Sequence, residues 1–390
     1  RPSRYPWRMS TRLSARYRVR CPDGSIDARA QSLAIEQSIE MPLDAVRDAR
    51  VRSEVVGQVQ SIEPSRDAPG HFDVVLALAA ETVGDEPGQL MNMLFGNCSL
   101  QPDVELLDVQ LPPPMLEALP GPRFGIDGWR AAVGAAGAQR PLSCTALKPQ
   151  GLAPDALAEL AYAFARAGID VIKDDHGIAD QSAAPFAQRV PVVQAAVERA
   201  NREKAGADGA LAGHRSVYAP SLSGGPRRLG AQLRVARDEG VGAVLACPMI
   251  VGVPAFVELV RAEAGVPLLA HPALAGHARI SAPLLLGRLF RLFGADATIF
   301  PNWGGRFSYP RDDCLAIADA ARAPLGAHRP ALPVPAGGMS VERVDEMLDD
   351  YGPDTMLLIG GNLLAAGDEM PARAAEFAAR VARAFVPHEP

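Results

Sequence analysis

The chain has 390 residues, 48% of them hydrophobic and 22% charged, and carries a net charge of −6. Its length exceeds one ordinary domain of about 100–200 residues and predicts two domains or a large barrel with an appendage, while the acidic balance argues against nucleic acid as the main partner. No apolar run reaches the roughly 18 residues of a membrane span. The basic N-terminus lacks the apolar segment of a secretory signal. The five cysteines have no metal-ligand spacing, which favours the reducing cytoplasm over a disulfide or zinc scaffold.

The first part of the chain predicts a small α+β domain of the ferredoxin-like kind, residues 1–125. A short helix is predicted at 43–52, and strand-like patterns cover 16–21, 35–40, 72–78 and 104–111. A passage rich in proline and glycine follows at 112–125. We expect the domain boundary there, because such residues interrupt regular structure.

From residue 142 onward, β-like runs alternate with helical segments, which predicts a parallel sheet. Eight such units in about 245 residues match a closed (β/α)₈ TIM barrel, assigned to residues 126–390. An open doubly wound sheet is the alternative, but no GxGxxG turn follows the first strand. The runs cover 142–147, 169–172, 215–219, 243–246, 266–270, 297–300, 331–335 and 355–359.

Lysine is scarce in this chain. The 39 basic residues include only three lysines, Lys148, Lys173 and Lys204. Arginine keeps its proton, whereas lysine can become a neutral base or nucleophile. Lys148 and Lys173 fall at the ends of the first two predicted barrel strands, where barrel enzymes carry catalytic residues. We therefore expect Lys148 to act as a general base, with a surface amine as the alternative. Chance retention in a polar stretch accounts for Lys204.

The second barrel strand ends in four ionisable residues, Lys173-Asp174-Asp175-His176. Strand alternation predicts that Lys173 and Asp175 share one face and that Asp174 lies on the other. Such a cluster at a barrel mouth suits a metal or proton-transfer site. A salt-bridged strand end is the structural alternative.

Other candidate residues follow the later strands. His271 ends strand five and could orient a substrate oxygen. The loop 301–307 has the glycine content of a mobile lid and offers Arg306 to an anion. Glycine pairs after strands seven and eight could hold a phosphate on backbone N–H groups, although loops also use glycine for turns; they are Gly337, Gly338, Gly360 and Gly361.

Two segments resemble the large subunit of ribulose-bisphosphate carboxylase/oxygenase (RuBisCO). They are the pentapeptide KPQGL at 148–152 and the nonapeptide GIDVIKDDH at 168–176. The resemblance extends through His271 and both glycine pairs. It also includes Glu36 and the LFGN sequence at 94–97, so it spans nearly the whole chain in the right order.

The resemblance implies a homodimer in which the partner's N-terminal domain completes each barrel site, here through Glu36 and Asn97. It implies that CO₂ carbamylates Lys173, and that the carbamate binds Mg²⁺ together with Asp175 and the residue at 176. Lys148 would be the proton-transfer lysine, and the glycine pairs would bind phosphate.

This chain departs from the carboxylases at several positions. Gln150 replaces a second lysine, Pro272 an arginine for the second phosphate, and Ala336 a serine. The lid, residues 302–307, lacks the lysine that polarises CO₂. The pattern resembles the RuBisCO-like proteins, or form IV, and CO₂ fixation is not expected. His176 replaces a glutamate ligand, and because imidazole suits softer ions than Mg²⁺, another divalent metal or none stays open.

Three functions follow from these features. The first is metal-assisted enolisation of a phosphorylated ketose, or a methylthio-ketose phosphate, by an isomerase or enolase in which Lys148 moves the proton. The second is a decarboxylase, transcarboxylase or hydrolase of a 3-oxo sugar-acid phosphate, with Arg306 on the carboxylate. The third is a degenerate barrel that binds a sugar phosphate without turnover. A Schiff-base aldolase using Lys148 or Lys173 is a further alternative.

Overall fold

A computed structural model describes residues 11–22, 24–206, 213–307 and 309–383. The described chain divides into two compact units. One contains the residues up to Pro120 together with Leu274–Leu285, and the other contains Gly121–Ala273 and the residues from Leu286 onward.

The N-terminal unit is built on an antiparallel sheet with the strand order β2-β3-β1-β4. Helix α1 (Ile26–Glu36) packs on this sheet through four buried apolar side chains at helical spacing, Ile26, Ala30, Leu33 and Ala34. This arrangement confirms the predicted α+β class. The strands are β1 (Arg12–Arg20), β2 (Gln58–Pro64), β3 (His71–Ala79) and β4 (Val104–Gln110).

Two local predictions in this unit are wrong. The predicted strand at 35–40 is the end of α1 and the turn after it, because the buried positions continue the helical spacing rather than alternate. The predicted helix at 43–52 is replaced by a 3₁₀ turn, Leu43–Ala45, and a π turn, Val51–Val55. Side chains compete for the backbone here, since Asp48 accepts two N–H groups and Arg52 donates to a carbonyl.

All eight predicted barrel strands are present. One ladder has the order β13-β5-β6-β7 and the other β12-β11-β10-β9-β8, every pairing being parallel. Strands β7 and β8 are two parts of one barrel strand that Pro220 interrupts. The strands are β5 (Leu142–Leu147), β6 (Val171–Asp174), β7 (Val217–Ala219), β8 (Ser221–Leu222), β9 (Val244–Ala246), β10 (Leu268–Ala270), β11 (Ala297–Pro301), β12 (Leu332–Ala336) and β13 (Met356–Leu358).

The two ladders meet without backbone pairing between β12 and β13, both of which are fully described. The amide of Leu332 bonds toward β11, so Pro333 and Pro335 face β13 and offer it no N–H group. The Thr355 hydroxyl donates to the Pro333 carbonyl at 3.2 Å instead.

Helices cover the outside of the barrel, and alternate strand residues fill its interior. Seven of the buried interior residues are Leu142, Cys144, Val171, Leu245, Leu269, Val334 and Leu358. The remaining helices are α2 (Pro87–Phe95), α3 (Pro113–Ala118), α4 (Gly125–Ala132), α5 (Pro154–Arg166), α6 (Phe186–Ala205), α7 (Pro226–Asp238), α8 (Pro248–Val251), α9 (Val253–Ala255), α10 (Phe290–Leu292), α11 (Arg311–Arg322), α12 (Val344–Tyr351), α13 (Gly361–Leu364) and α14 (Met370–Arg383).

Two expectations drawn from composition concern membranes and disulfides. Within the described ranges, no helix combines the length and the apolar character that a membrane crossing requires. None of the five cysteines, all of which are described, forms a disulfide.

A buried polar network joins the N-terminal ends of the second and third barrel strands, and it overturns the assignment of Lys204 to chance. Lys204 is 2% exposed, and its Nζ lies 2.9 Å from both His214 Nδ1 and Ser216 Oγ. His214 Nε2 lies 3.0 Å from Asp170 Oδ1. Because an ammonium group only donates, His214 accepts at Nδ1 and donates from Nε2 to Asp170.

This network predicts a specific dependence of stability on pH. Burial lowers the pKa of Lys204 to about 8, whereas the pKa of a lysine in an unfolded chain is about 10.4. Between these values the unfolded state binds more protons, so the free energy of unfolding should rise by about 1–3 kcal/mol as pH increases.

Denaturant titrations of the wild type and Lys204→Met at several pH values would isolate this contribution, because all other groups are common to both proteins. We expect the difference in unfolding free energy to grow in favour of the wild type between about pH 8 and about pH 10.4. A constant or shrinking difference would contradict the assignment.

Candidate active site

Strand alternation places a layer of side chains directly above the apolar interior of the barrel. Inward residues recur every second position along each strand, and the buried interior contains Cys144, Val171 and Leu269. Continuing the same faces toward the C-terminal ends reaches Lys148 after β5, Lys173 on β6, Asp175 directly after β6, and His271 after β10. This edge is where barrel enzymes carry their catalytic groups.

Lys148 and Asp175 form an ion pair across the first two barrel strands. Lys148 Nζ lies 2.7 Å from Asp175 Oδ1, and the two side chains are 32% and 10% exposed. Burial alone would raise the pKa of Asp175, but hydrogen bonds from His176 and Lys148 and the charge of Lys173 hold it well below its usual range. Asp175 is therefore a carboxylate at neutral pH, available to a cation.

Lys173 lies deeper, with only 2% of its surface exposed. Its Nζ donates to the main-chain carbonyl of Asp174 at 2.9 Å. Burial lowers the pKa of Lys173, and the positive charge of Lys148 lowers it further. These effects raise the fraction of neutral amine, which is the nucleophilic form.

His271 is a neutral hydrogen-bond donor at the same edge. Burial, and after it the electrostatic influence of nearby Lys173, lower its pKa to about 2. Its Nδ1 accepts from the amide of Ala273 at 3.1 Å, which leaves the proton on Nε2. The His176 ring stacks on His271 with centroids 4.0 Å apart and planes 13° apart, while His176 Nδ1 lies 3.6 Å from Asp175 Oδ1.

The residues predicted to hold a metal are adjacent, but they form no complete site as they stand. Within the described ranges, no three His, Cys, Asp or Glu side chains are grouped to hold an ion. Lys173 in its amine form adds no oxygen to the Asp175 carboxylate and the His176 imidazole. A carbamate on Lys173 would add two oxygens on the face that Asp175 shares, so that the oxygen ligands a hard divalent cation prefers would outnumber the single His176 imidazole.

The two glycine pairs differ in their surroundings. A Cβ on Gly360 would lie 3.8 Å from Lys148 Cε, whereas a Cβ on Gly361 would meet nothing within 4 Å, so this backbone faces open space beside the lysine. A Cβ on Gly338 would lie 2.5 Å from the Cα of Gly305. The pair Gly337–Gly338 therefore packs backbone against backbone with the lid.

Contacts at the base of the lid fix its orientation. Asn302 is fully buried, its amide lies within 3.1 Å of the sulfur atoms of Met339 and Met347, and Tyr351 donates to its oxygen. Arg306, farther along the lid, is exposed and lies 4.9 Å above the Phe307 ring. Arg306 is thus free of the buried contacts that hold Asn302.

The N-terminal unit holds the two remaining candidates. Asn97 Nδ2 donates to Glu36 Oε1 at 3.0 Å. Both residues are partly exposed, and Glu36, at the end of α1, lines an open groove with Gln31 and Met41. The two residues that the resemblance assigned to a shared site are therefore in direct contact within one chain.

One residue at the barrel edge was missing from the sequence prediction. Cys247 follows β9, and because Ala246 pairs with Ala270, it stands level with His271 on the neighbouring strand. Burial raises the pKa of its thiol to about 11, partly offset by the charge of Lys173. Alternation along the predicted strand 243–246 was the signal that could have identified it.

The barrel, its basic and acidic edge, and the antiparallel N-terminal sheet together define the class of RuBisCO large chains. Residues 125–281 match the family described as "Ribulose bisphosphate carboxylase large chain, catalytic domain". A solved Rubisco-like protein from Rhodopseudomonas palustris is 48% identical, with a TM-score of 0.86 over 96% of this chain and 98% of that chain. The chain belongs to the RuBisCO-like protein family.

Relatives with named activities differ in their similarity to the chain. The 5-methylthioribulose-1-phosphate isomerase of Rhodospirillum rubrum is 52% identical over 96% of this chain and 98% of its own length. The 2,3-diketo-5-methylthiopentyl-1-phosphate enolase of Bacillus licheniformis is 28% identical over 90% of this chain and 87% of its own. Relatives in this family are therefore named as isomerase and enolase enzymes.

The lowered pKa of His271 predicts that its ring stays neutral throughout the physiological range. In an NMR titration from about pH 5 to about pH 8, an exposed histidine shifts with a midpoint near about 6.5. We expect one histidine signal to stay constant and to disappear in His271→Gln. A His271 signal that titrates with a midpoint between about 5 and about 7 would show that the ring is solvated and would contradict this environment.

Proposed function

We propose that the protein is an isomerase of a methylthio-ketose phosphate, of the kind that converts 5-methylthioribulose 1-phosphate. The observation that carries the proposal is the Lys148–Asp175 ion pair beside buried Lys173. The 52% identity to an isomerase, against 28% to an enolase, supports the choice of reaction. The substrate is then a methylthio-ketose phosphate and the product its isomer, and carboxylation of a bisphosphate is excluded.

The reaction needs a base for a C–H group next to a ketone, and Lys148 is placed to supply it. A neutral Lys148 takes the proton from the hydroxyl-bearing carbon, the C–H electrons form a C=C bond, and the carbonyl π electrons move to oxygen. The same proton then returns to the former carbonyl carbon, while the hydroxyl proton of the first carbon passes to the new oxyanion, so the carbonyl group has moved by one carbon. The isomerisation therefore consumes no other reactant.

His271 and the lid serve the oxygen and phosphate ends of the substrate. The Nε2–H of His271 donates to the oxygen on which negative charge develops, and as a neutral donor it needs no proton transfer to do so. We assign the phosphate to the backbone N–H groups of Gly360 and Gly361, because Gly360 lies beside Lys148 and nothing crowds Gly361. Arg306 would add a positive charge from the lid, whereas Gly337 and Gly338 are packed against the lid backbone and are a less suitable phosphate site. Pro272, which cannot grip a second phosphate, favours a monophosphate.

A divalent cation, Mg²⁺ in the simplest case, completes this proposal. The neutral amine of Lys173 would add to CO₂, forming an N–C bond as one C=O π bond opens and one proton leaves, and the carbamate, Asp175 and His176 would hold the cation. When bound, the cation supplies a Lewis acid that stabilises negative charge on the substrate oxygens. The lowered pKa of Lys173 supports this role, because carbamylation requires the unprotonated amine.

The test of the proposed activity is conversion of 5-methylthioribulose 1-phosphate in the presence of Mg²⁺ and bicarbonate, followed by ¹H and ³¹P NMR. We expect an isomeric ketose phosphate, and a kcat reduced about 10²–10⁴-fold in Lys148→Met because the proton-transfer group is lost. Lys148→Arg is the matched control, since it keeps the ion pair with Asp175 and cannot act as a base. Substantial turnover by Lys148→Arg, or none by the wild type, would contradict the proposal.

We also propose that the active form is a homodimer whose sites combine a barrel from one subunit with Glu36 and Asn97 of its partner. A mixture of Glu36→Gln and Lys148→Met proteins, unfolded and refolded together, would then contain mixed dimers with one intact site. We expect recovery of about one quarter of wild-type activity, since about half of the dimers are mixed and each has one working site of two. No recovery above the separate variants would exclude a shared site.

A further inference from the structure

Asp174, between the two candidate ligands of β6, is the centre of a buried cluster on the outer side of the barrel. Its side chain is fully buried. Oδ1 accepts from the Tyr218 hydroxyl at 2.8 Å, and Oδ2 accepts from the Ser221 amide at 3.0 Å and from Arg189 Nε at 3.1 Å. Residues from β6, α6, β7 and β8 therefore meet at one carboxylate.

Arg189 extends this cluster to the loop that follows β6. Its side chain is fully buried in α6, and it donates to the carbonyls of Ala184 at 2.6 Å and Ala179 at 2.9 Å. The Phe186 ring lies 5.3 Å beneath its guanidinium. One side chain thus holds both the strand end and the loop that starts at His176.

Asp174 is also linked through its backbone to the two residues beside it, Lys173 and Asp175. Lys173 Nζ donates to the Asp174 carbonyl, and the Asp175 amide donates to the carbonyl of Leu147 on β5 at 3.3 Å. Lys173 and Asp175 each lie one peptide unit from Asp174. A rotation of the Asp174 backbone would therefore move both side chains at the barrel edge.

We propose that the Arg189–Asp174–Tyr218 cluster is a positioning element for Lys173 and Asp175, and that it sets the spacing at which these two residues share a divalent cation. The inference rests on the proposed function for the cation. None of the three side chains reaches the barrel interior, so they act through the backbone of residues 173–175. A buried ion pair is costly to form and breaks at a large penalty, which suits an element that must hold one geometry.

The other end of β6 provides a matched control. Asp170 is also a buried carboxylate, and it accepts from Arg140, His214 and the Ser143 hydroxyl. It lies at the N-terminal end of the strand, away from Lys173 and Asp175. Asp170→Asn and Asp174→Asn therefore each remove one buried carboxylate at an end of β6, but only Asp174→Asn does so at the edge that carries Lys173 and Asp175.

The experiment compares four variants of the full-length protein in bicarbonate buffer. Titration calorimetry measures the affinity for Mg²⁺, ¹³C NMR with ¹³C-bicarbonate measures carbamate on Lys173, and thermal unfolding measures Tm. We expect Asp174→Asn and Asp170→Asn to lower Tm similarly, with Mg²⁺ affinity reduced about tenfold or more only in Asp174→Asn. Tyr218→Phe and Ser143→Ala form a milder pair in which each loses one hydroxyl donor to a strand-end carboxylate, so the comparison survives if the aspartate variants do not fold.

Each outcome discriminates. Weaker Mg²⁺ binding in Asp174→Asn or Tyr218→Phe, with unchanged binding in the partner control, supports the positioning role. Unchanged Mg²⁺ binding and carbamate signal in Tyr218→Phe and Asp174→Asn overturn it and leave the proposed function intact. A wild type that binds no Mg²⁺ and shows no carbamate overturns the proposed cation chemistry and this inference together.

Discussion

The alternation of side chains along β6 is the constraint on which the barrel edge depends. Lys173 and Asp175 point into the barrel only because Asp174 points out of it. A shift of one residue would exchange these faces, bury Lys173 against α6 and place Asp174 in the barrel. Pairing with β5 and β7, together with buried carboxylate clusters at both ends of the strand, holds the observed register.

The three lysines occupy positions at which arginine could not replace them. Lys148 pairs with Asp175, Lys173 is buried beside it, and Lys204 donates to His214 and Ser216 on the opposite side of the barrel. The proposed function requires an amine that can lose its proton at Lys148 and Lys173, and the contacts of Lys204 require a compact donor between two acceptors. The guanidinium group, which is planar and permanently charged, meets neither requirement.

Much of the fold could be predicted from the sequence, because each barrel strand is a short apolar run between turn residues. Seven of the eight predicted runs end within two residues of the observed strands, and the run at 215–219 stops before β8, the second part of its strand. The N-terminal unit was harder to predict, since residues 35–40 and 43–52 are governed by helix packing and by side chains that bond to the backbone. Local patterns of four to eight residues do not contain that information.

The candidate site divides in the same way. The sequence pattern predicts one shared edge, because strand ends and side-chain alternation bring together Lys148, Lys173, Asp175 and His271. The stacking of His176 on His271 and the contact of Gly305 with Gly338 join residues that are far apart in sequence. Such contacts depend on how neighbouring strands and loops pack, and no single-strand pattern encodes them.

The prolines of β12 have a consequence for how the barrel opens. Since Pro333 and Pro335 present no donors to β13, the amides and carbonyls of Met356–Leu358 are held in a ladder on one side only, by β5. The boundary between β12 and β13 therefore has the least backbone pairing in the barrel. Separating these two strands breaks fewer backbone hydrogen bonds than separating any other neighbouring pair of barrel strands. Gly360 follows β13 after one residue, and a Cβ built on it would lie 3.8 Å from Lys148 Cε, so the unpaired boundary between β12 and β13 leads to the space beside this lysine.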